Sequence, residues 1–331
     1  MPLFTPSKLQ TEVELPCFEA RLGYQHPFLM VGSCFATNIG ERLVRLKLPA
    51  MVNPFGVVYN PLSVSSSLKM LVDGVQLSES DLFFQNGVWN SYTHHSSFSM
   101  ADKEECLATI NHSLMAGSIM VRESSHVVIT LGTSWAYKLK ETGRIVANCH
   151  KTRASEFERI FLDAPSSTNA LAEAVAALRT VNPSVKVVLT VSPIRHVKDG
   201  LVENQLSKAS LVVACHKLCS DFEGVSYFPS YEIMVDELRD YRYYADDMVH
   251  PSSMAVDIIF KKFAAAAINA LSKEAMEEVD KIVRAVEHIP FNREGEEYRK
   301  FCTTMARKAT ELQKRYTFLD LSGEIAYFTG C

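Results

Sequence analysis

The sequence lacks the features that would place the chain in a membrane or on nucleic acid. No apolar stretch approaches the roughly 18 residues that a membrane-spanning helix needs, because Lys261 and Lys262 interrupt even the alanine-rich segment Ile258–Ala270. A basic surplus is also missing: the formal net charge is −4, whereas proteins that neutralise phosphates are usually basic. We therefore expect neither a membrane nor a nucleic acid as partner.

A secretion signal and a disulfide framework are also missing. The first thirty residues carry Glu12, Glu14, Glu19 and Arg21 among short apolar groups, rather than a basic start followed by an apolar core and a cleavage site. Eight cysteines are scattered over 331 residues, a chain large enough to fold without covalent staples. We expect free thiols and a cytoplasmic location.

What the sequence does contain is an alternation of strand and helix patterns. Apolar runs rich in β-branched residues predict buried parallel strands at Phe28–Val31, His126–Leu131 and Val185–Val191. Helical spacing predicts helices from Ile39 to Leu46 and at Leu62–Val72, 166–178, Asn204–Cys219 and Met254–Leu271. The alternation predicts a three-layer, flavodoxin-like α/β fold, in which helices flank a mostly parallel sheet and ligands bind at the carboxyl ends of the strands.

The composition changes near Ser272 to charged helical sequence. Two segments, Lys273–Glu287 and Gly295–Tyr316, are separated by Pro290 and followed by an aromatic tail. We predict one main domain over residues 1–271 and a C-terminal helical extension over residues 272–331 that packs on it. An interaction surface is the competing interpretation of the extension.

The segment Gly32-Ser33-Cys34-Phe35-Ala36 places a serine on a predicted strand-to-helix turn. A serine at such a turn can be exposed, and the amides that follow it can stabilise an oxyanion. The competing interpretation is that Ser33 caps the helix. Cys34, flanked by Phe35 and Ala36, is interpreted as a small buried residue rather than a nucleophile.

The second candidate segment is Asp247-Met248-Val249-His250, just before a predicted helix. Residues three apart on one turn lie on the same side, so Asp247 can orient the imidazole of His250 while His250 takes a proton from a serine hydroxyl. Taken alone the spacing is weak, because the same residues could cap the helix or bind a metal.

Together these segments resemble the SGNH (GDSL-like) hydrolase superfamily, and the string Gly32–Ala36 is similar to the signature of the GSCFA family of bacterial proteins within it. The resemblance covers roughly residues 25–265. It implies that Ser33 is the nucleophile and that Asp247 and His250 complete a catalytic triad.

The resemblance also implies an oxyanion hole, formed by the amides of Ser33 and Gly56. The third block of the superfamily usually contributes an asparagine, and this chain has Ser134 at that position. A serine hydroxyl can donate one hydrogen bond but is shorter than an asparagine amide, and one lost donor can cost about 10²–10³ in turnover.

Further polar residues fall after or between predicted strands. Asn148, His150, Arg195 and His196 are candidate substrate contacts, and solvated loop polarity is an equally good interpretation. The segments Cys215-His216-x-x-Cys219 and His94-His95 lack the spacing of a zinc site. We expect no metal and no cofactor.

The leading hypothesis is a serine acyl-ester hydrolase. By family analogy alone, it would remove a small acyl group such as acetyl from a carbohydrate or another alcohol. Two alternatives stay open: an O-acyltransferase that uses the same triad, and a non-catalytic binding module on a degenerate hydrolase fold. The substrate would be a small molecule or saccharide ester, and the sequence does not determine the oligomeric state.

Overall fold

A parallel sheet forms the centre of the computed structural model, which describes residues 11–330. The strands of these residues are β1 (Phe28–Gly32), β2 (Ala50–Val52), β3 (Phe83–Gln85), β4 (Val88–Asn90), β5 (His126–Leu131), β6 (Trp135–Leu139), β7 (Ile145–Val146), β8 (Phe157–Phe161), β9 (Lys186–Val191) and β10 (Val225–Phe228). Five of them pair in parallel in the order β10-β9-β5-β1-β2. The predicted strands correspond to β1, β5 and β9, which lie side by side in the middle of this sheet.

Helices alternate with these strands along the chain. They are α1 (Cys34–Arg45), α2 (Pro61–Asp73), α3 (Lys103–Glu123), α4 (Ala164–Val181), α5 (Leu201–Asp221), the short α6 (Ser230–Glu232), α7 (Ser253–Ala267), α8 (Ala270–Glu287), α9 (Glu296–Arg315) and α10 (Ser322–Thr329). Single 3₁₀ turns lie at Glu79–Asp81, Ser96–Phe98, Ala154–Glu156, Val197–Asp199 and Tyr241–Tyr243, and a π turn at Ile233–Glu237 follows α6. The predicted helices correspond to α1, α2, α4, α5 and α7.

The sheet separates two hydrophobic cores because successive strand residues point to opposite faces. In β1, Phe28 and Met30 pack against α1, α7 and the C-terminal helices, while Leu29 and Val31 pack against α2, α3, α4 and α5. Helices therefore cover both faces of a mostly parallel sheet. The predicted three-layer α/β fold class is confirmed.

The prediction of one helix over Met254–Leu271 is wrong, because the chain breaks between α7 and α8. Ile268 is extended and pairs with Leu22, whose amide donates to the carbonyl of Ala267. The side chain of Asn269 then accepts the amide of Ser272 and begins α8. Pairing with a distant N-terminal segment thus overrides a continuous helical pattern.

The C-terminal helices share the hydrophobic core on one face of the sheet. Arg45 of α1 forms ion pairs with Asp280 and Glu287 of α8, and the ring of Tyr24 stacks on that of Phe318 at 5.2 Å. The division of the chain into domains at residue 271 stays a prediction.

Two smaller sheets and the cysteines complete the described structure. Strands β3 and β4 form a hairpin, and β6 pairs in antiparallel with β7 and β8. Among residues 11–330, free thiols are found at Cys17, Cys34, Cys106, Cys149, Cys215 and Cys219. Part of the segment searched for a secretion signal, residues 1–10, and the eighth cysteine, Cys331, lie outside the described residues.

None of the helices between residues 11 and 330 is both long and apolar enough to cross a membrane.

Candidate active site

The candidate site lies where β1, β5 and β9 end at one edge of the sheet. The parallel register places Gly32 beside Thr130, and Thr130 beside Thr190. Polar residues that follow these strands therefore meet at the same edge, as expected for an open parallel sheet.

The turn from β1 into α1 depends on Gly32. Its φ is +143°, and a Cβ atom there would lie 2.0 Å from the carbonyl oxygen of Thr130. The Gly32 amide donates to the side chain of Asn53 at 2.8 Å, and the Asn53 amide group donates to the hydroxyl of Thr37. Only glycine fits this tight junction of strand and helix.

Ser33 is buried and acts as the cap of α1. Its side chain is 1% exposed, and its hydroxyl accepts the amide of Phe35 at 3.3 Å. Its own amide donates to the carbonyl of Thr130 at 3.0 Å. The capping interpretation of Ser33 thus describes its contacts, and the amide expected in the oxyanion hole is already used inside the sheet.

Cys34, the first residue of α1, faces the candidate base. It is half-buried, and its Sγ atom lies 4.0 Å from Nε2 of His250. Burial raises the pKa of the Cys34 thiol above its usual value, and the amides of Cys34 and Phe35 and the charge of Lys208 offset only part of that rise. Cys34 is therefore a half-buried thiol at the N-terminus of α1 that faces an imidazole, rather than a fully buried residue.

Asp247 and His250, which the sequence predicts to act together, are in contact. Asp247 Oδ2 lies 2.6 Å from Nδ1 of His250, and Oδ1 accepts the amides of Val249 and His250 at 2.9 Å each. These three interactions, the His250 amide first, lower the pKa of Asp247 to about 2. Because an ionised carboxylate can only accept, Nδ1 carries the hydrogen and Nε2 of the neutral ring is free to accept a proton.

Neighbouring segments hold the loop that carries this pair. Arg195 donates from its backbone to the carbonyl of Val249 and from its guanidinium to that of Met248, at 3.1 and 3.2 Å. Its guanidinium also lies over the ring of Tyr244, and the amide of Ala245 donates to the carbonyl of His250. Arg195, a predicted substrate contact, thus supports the loop that carries Asp247 and His250.

The other two predicted oxyanion donors are occupied elsewhere. The amide of Gly56 donates to the carbonyl of Asn53 at 2.7 Å. Ser134 is 0% exposed; its hydroxyl donates to the carbonyl of Ser207 and its amide donates to the Ser207 hydroxyl. Ser134 therefore joins the end of β5 to α5, and its role as an oxyanion donor stays a prediction.

Comparison with known proteins assigns a family to this arrangement. The profile of the GSCFA family matches residues 27–263, and that of the GSCFA domain protein, C-terminal domain, matches residues 279–331. The chain belongs to the GSCFA family.

Two further comparisons add no functional argument for this GSCFA protein. An acetyl xylan esterase from the rumen bacterium Butyrivibrio proteoclasticus is similar to it with a TM-score of 0.37 and 11% identity, over 76% of this chain and 64% of the esterase. The chain therefore spans less than two thirds of that esterase, and a likeness of this size says nothing about activity. No curated protein matches the chain.

Asn148 and His150, two predicted substrate contacts, organise a loop of the GSCFA chain. The Asn148 side chain accepts the amide of His150 at 2.8 Å. Nε2 of the buried His150 donates to the carbonyls of Ser91 and His94, at 2.8 and 3.0 Å, and burial lowers the pKa of His150. His150 thus ties two loops together and is not an open contact for a ligand.

His196 and Tyr59 form an aromatic pair, and Tyr59 is a neighbour of Cys34. Their rings meet edge to face at 5.9 Å. Burial first, then the charges of Lys208 and His250, lower the pKa of His196 to about 3, so its ring is neutral near pH 7. Burial and the neighbouring Cys34 raise the pKa of Tyr59 to about 12.

A cavity of about 380 Å³ lies next to the loop that carries Asp247 and His250, because Arg195 and Tyr244 line it. Its other lining residues include Gln205, Tyr231 and Tyr241. Aromatic faces and polar groups together suit a ligand that has both apolar and hydroxyl-bearing surface. Tyr241 and Tyr244 belong to a tyrosine-rich segment that directly precedes Asp247.

The sequence interpretation missed Lys208, although its spacing carried a signal. On α5, Asn204, Lys208, Leu211, Cys215 and Leu218 are buried at helical intervals, so the lysine falls on the stripe that faces the core. A charged residue in such a stripe indicates a specific partner inside the molecule.

Proposed function

We propose that this GSCFA protein is an acyl-ester hydrolase in which Cys34 is the nucleophile, His250 the base and Asp247 the group that orients the base. The observation that carries the proposal is the continuous contact from Sγ to Nε2 at 4.0 Å and from Nδ1 to Oδ2 at 2.6 Å. A nucleophile, a base and an orienting carboxylate in that order define a triad by geometry.

The reaction follows from these positions. Nε2 of His250 accepts the thiol proton as Cys34 Sγ attacks the ester carbonyl carbon, and the oxygen takes the negative charge. The bond to the alcohol then breaks, the imidazolium gives its proton to the leaving alkoxide, and an acyl thioester remains on Cys34. His250 next deprotonates a water molecule that attacks the thioester, which releases the acid and restores the thiol.

The N-terminus of α1 supports the charges that form in both steps. The amide of Cys34 is one of the first amides of α1, which have no acceptor within the helix. It lies close to its own sulfur and opposes the rise in thiol pKa that burial causes. We assign this amide as an oxyanion donor, in place of Ser33, Gly56 and Ser134.

The substrate we propose is a small acyl ester of a polar alcohol. The cavity of about 380 Å³ next to the loop of the base has tyrosine rings and amide and guanidinium groups at hand for the alcohol part. A carbohydrate offers both an apolar ring face and hydroxyl groups, and it is the alcohol that the SGNH resemblance implies.

The decisive experiment compares wild type, Cys34→Ala and Ser33→Ala in hydrolysis of p-nitrophenyl acetate and longer-chain esters. We expect Cys34→Ala to lose turnover and Ser33→Ala to retain it when folded, with an acyl adduct on Cys34 detected by mass spectrometry. Cys17→Ala, which removes an exposed thiol, is the control. Turnover that survives in Cys34→Ala and disappears in Ser33→Ala would return the assignment to Ser33.

The same experiment separates hydrolase from transferase. An acyl thioester that persists in water and is discharged by an added alcohol identifies the acyltransferase. Absence of both turnover and adduct in the folded wild-type protein would favour the non-catalytic binding module.

A further inference from the structure

Lys208 of α5 is a fully buried lysine. Its side chain is 0% exposed, and Nζ donates to the carbonyls of Gly132 and Ser192, at 2.6 and 2.7 Å. Within residues 11–330 no carboxylate lies within ion-pair distance of Nζ. A buried ammonium without a carboxylate partner is costly, so the protein retains it at the expense of stability.

The two carbonyls place the ammonium at the edge that carries the site. Gly132 follows β5 and Ser192 follows β9, and β5 pairs directly with β1, which leads into Cys34. Lys208 therefore reaches from α5 to the ends of β5 and β9, and β5 is the direct neighbour of the strand that leads into Cys34.

Side chains from several elements surround Lys208 and Cys34. Tyr59 and His250 face the thiol, and the ring of Tyr231 lies 5.8 Å from Nζ. The charge of Lys208 partly offsets the burial that raises the pKa of Cys34, and it adds to the burial that lowers the pKa of His196. Burial lowers the pKa of Lys208 itself to about 7, and the charge of Cys34 opposes that shift.

We propose that Lys208 is the counter-charge of the Cys34 thiolate: a positioning residue that two strand-end carbonyls hold in place and that favours the anionic nucleophile. The inference rests on the proposed role of Cys34 as nucleophile. Lys208 touches neither the ester nor the thiol in this assignment and acts through its field. Because Lys208 is fully buried and Cys34 is half-buried, solvent screens this field less than it screens a field between exposed groups.

The first test is the pH dependence of Cys34 alkylation by iodoacetamide, followed peptide by peptide because other thiols react. We expect Lys208→Met to move the midpoint upward by about one unit or more, as loss of a nearby opposite charge does. The alkylation rate near pH 7 would then fall about tenfold. Lys217→Met, which removes an exposed lysine from the same helix, should leave the midpoint unchanged. An unchanged midpoint in folded Lys208→Met would overturn the proposal.

A second measurement leaves Lys208 intact, in case its replacement prevents folding. Cys34→Asp and Cys34→Asn have nearly the same shape and differ by one negative charge. With ¹⁵N-labelled lysine, NMR titration should give Lys208 a higher pKa in Cys34→Asp than in Cys34→Asn, by about one unit or more. Equal values would show that the two positions are not coupled.

Both measurements follow ionisation and not turnover. They therefore separate failure of this inference from failure of the proposed hydrolase. A coupled pair without an acyl adduct on Cys34 would remove the enzyme assignment alone, and an adduct without coupling would remove the role of Lys208 alone.

Discussion

The carboxylate of Asp247 fixes both the ring of His250 and the backbone that carries it. Oδ2 lies 2.6 Å from Nδ1 of the ring, and Oδ1 accepts the amide of His250 itself at 2.9 Å. The intervening Met248 has a φ of +57°, a left-handed conformation that is costly for most residues. One side chain thus determines the tautomer of the base and the shape of its loop.

Asp247→Asn tests that relationship. The substituted amide can donate to Nδ1, which moves the ring hydrogen to Nε2 and removes the free acceptor that faces Cys34. We expect turnover to fall by about 10⁴ while the melting temperature changes little, because the side chain is half-exposed. Asp246→Asn alters the neighbouring carboxylate and is the matched control. Retention of turnover within a few-fold would mean that His250 is not the base.

Gly32→Ala tests the junction of β1 and α1. The added Cβ would lie 2.0 Å from the carbonyl oxygen of Thr130, where the backbone of β5 cannot move away. We expect the free energy of unfolding to fall by more than about 3 kcal/mol, measured by denaturant titration. Gly323→Ala adds the same methyl group in open space on α10 and should be neutral. Equal stability of the two variants would contradict the assigned turn.

Much of the architecture was predictable because its signals are local. The runs at β1, β5 and β9 are mostly apolar, since both faces of a central parallel strand are buried. The break between α7 and α8 was not predictable in the same way: it depends on pairing between Ile268 and Leu22, which are far apart in sequence. Contacts of that kind leave no periodic pattern.

The site was predictable as a region, but the residue that we propose as its nucleophile was not. The turn after β1 and the spacing of Asp247 and His250 both marked segments that the fold brings together. Which of two adjacent side chains faces the imidazole depends on helix capping: Ser33 turns inward to accept an amide, and Cys34 turns toward Nε2. Lys208 could be recognised only by asking which face of α5 is buried.

Ser134→Asn separates a structural role for Ser134 from an oxyanion role. The side chain is 0% exposed and bonded to Ser207 in both directions, so a larger amide overpacks the space between β5 and α5. We expect a loss of about 1–3 kcal/mol in unfolding free energy, with turnover of the folded fraction unchanged. Higher turnover at equal stability would place Ser134 in the oxyanion hole after all. Ser113→Asn, at a half-buried serine of α3, controls for the added volume.

Acid sensitivity should come largely from buried histidines. The ring of His94 is 0% exposed between Phe55 and Phe98, and burial lowers its pKa from 6.5 to about 3. Below pH 6.5 the unfolded chain therefore binds a proton at His94 that the folded protein does not bind. The free energy of unfolding is highest above pH 6.5 and decreases as the pH falls. Between pH 6.5 and 5, where carboxylates contribute little, one such ring accounts for about 1.5 kcal/mol of unfolding free energy.

His94→Phe keeps an aromatic ring in this position and should reduce the loss of unfolding free energy by that amount in denaturant titrations. His112→Phe, at an exposed site of α3, should leave the pH dependence unchanged. If His94→Phe loses stability across the same interval as steeply as the wild type, His94 takes up its proton in the folded state as readily as in the unfolded chain, and the acid response must be assigned to other groups.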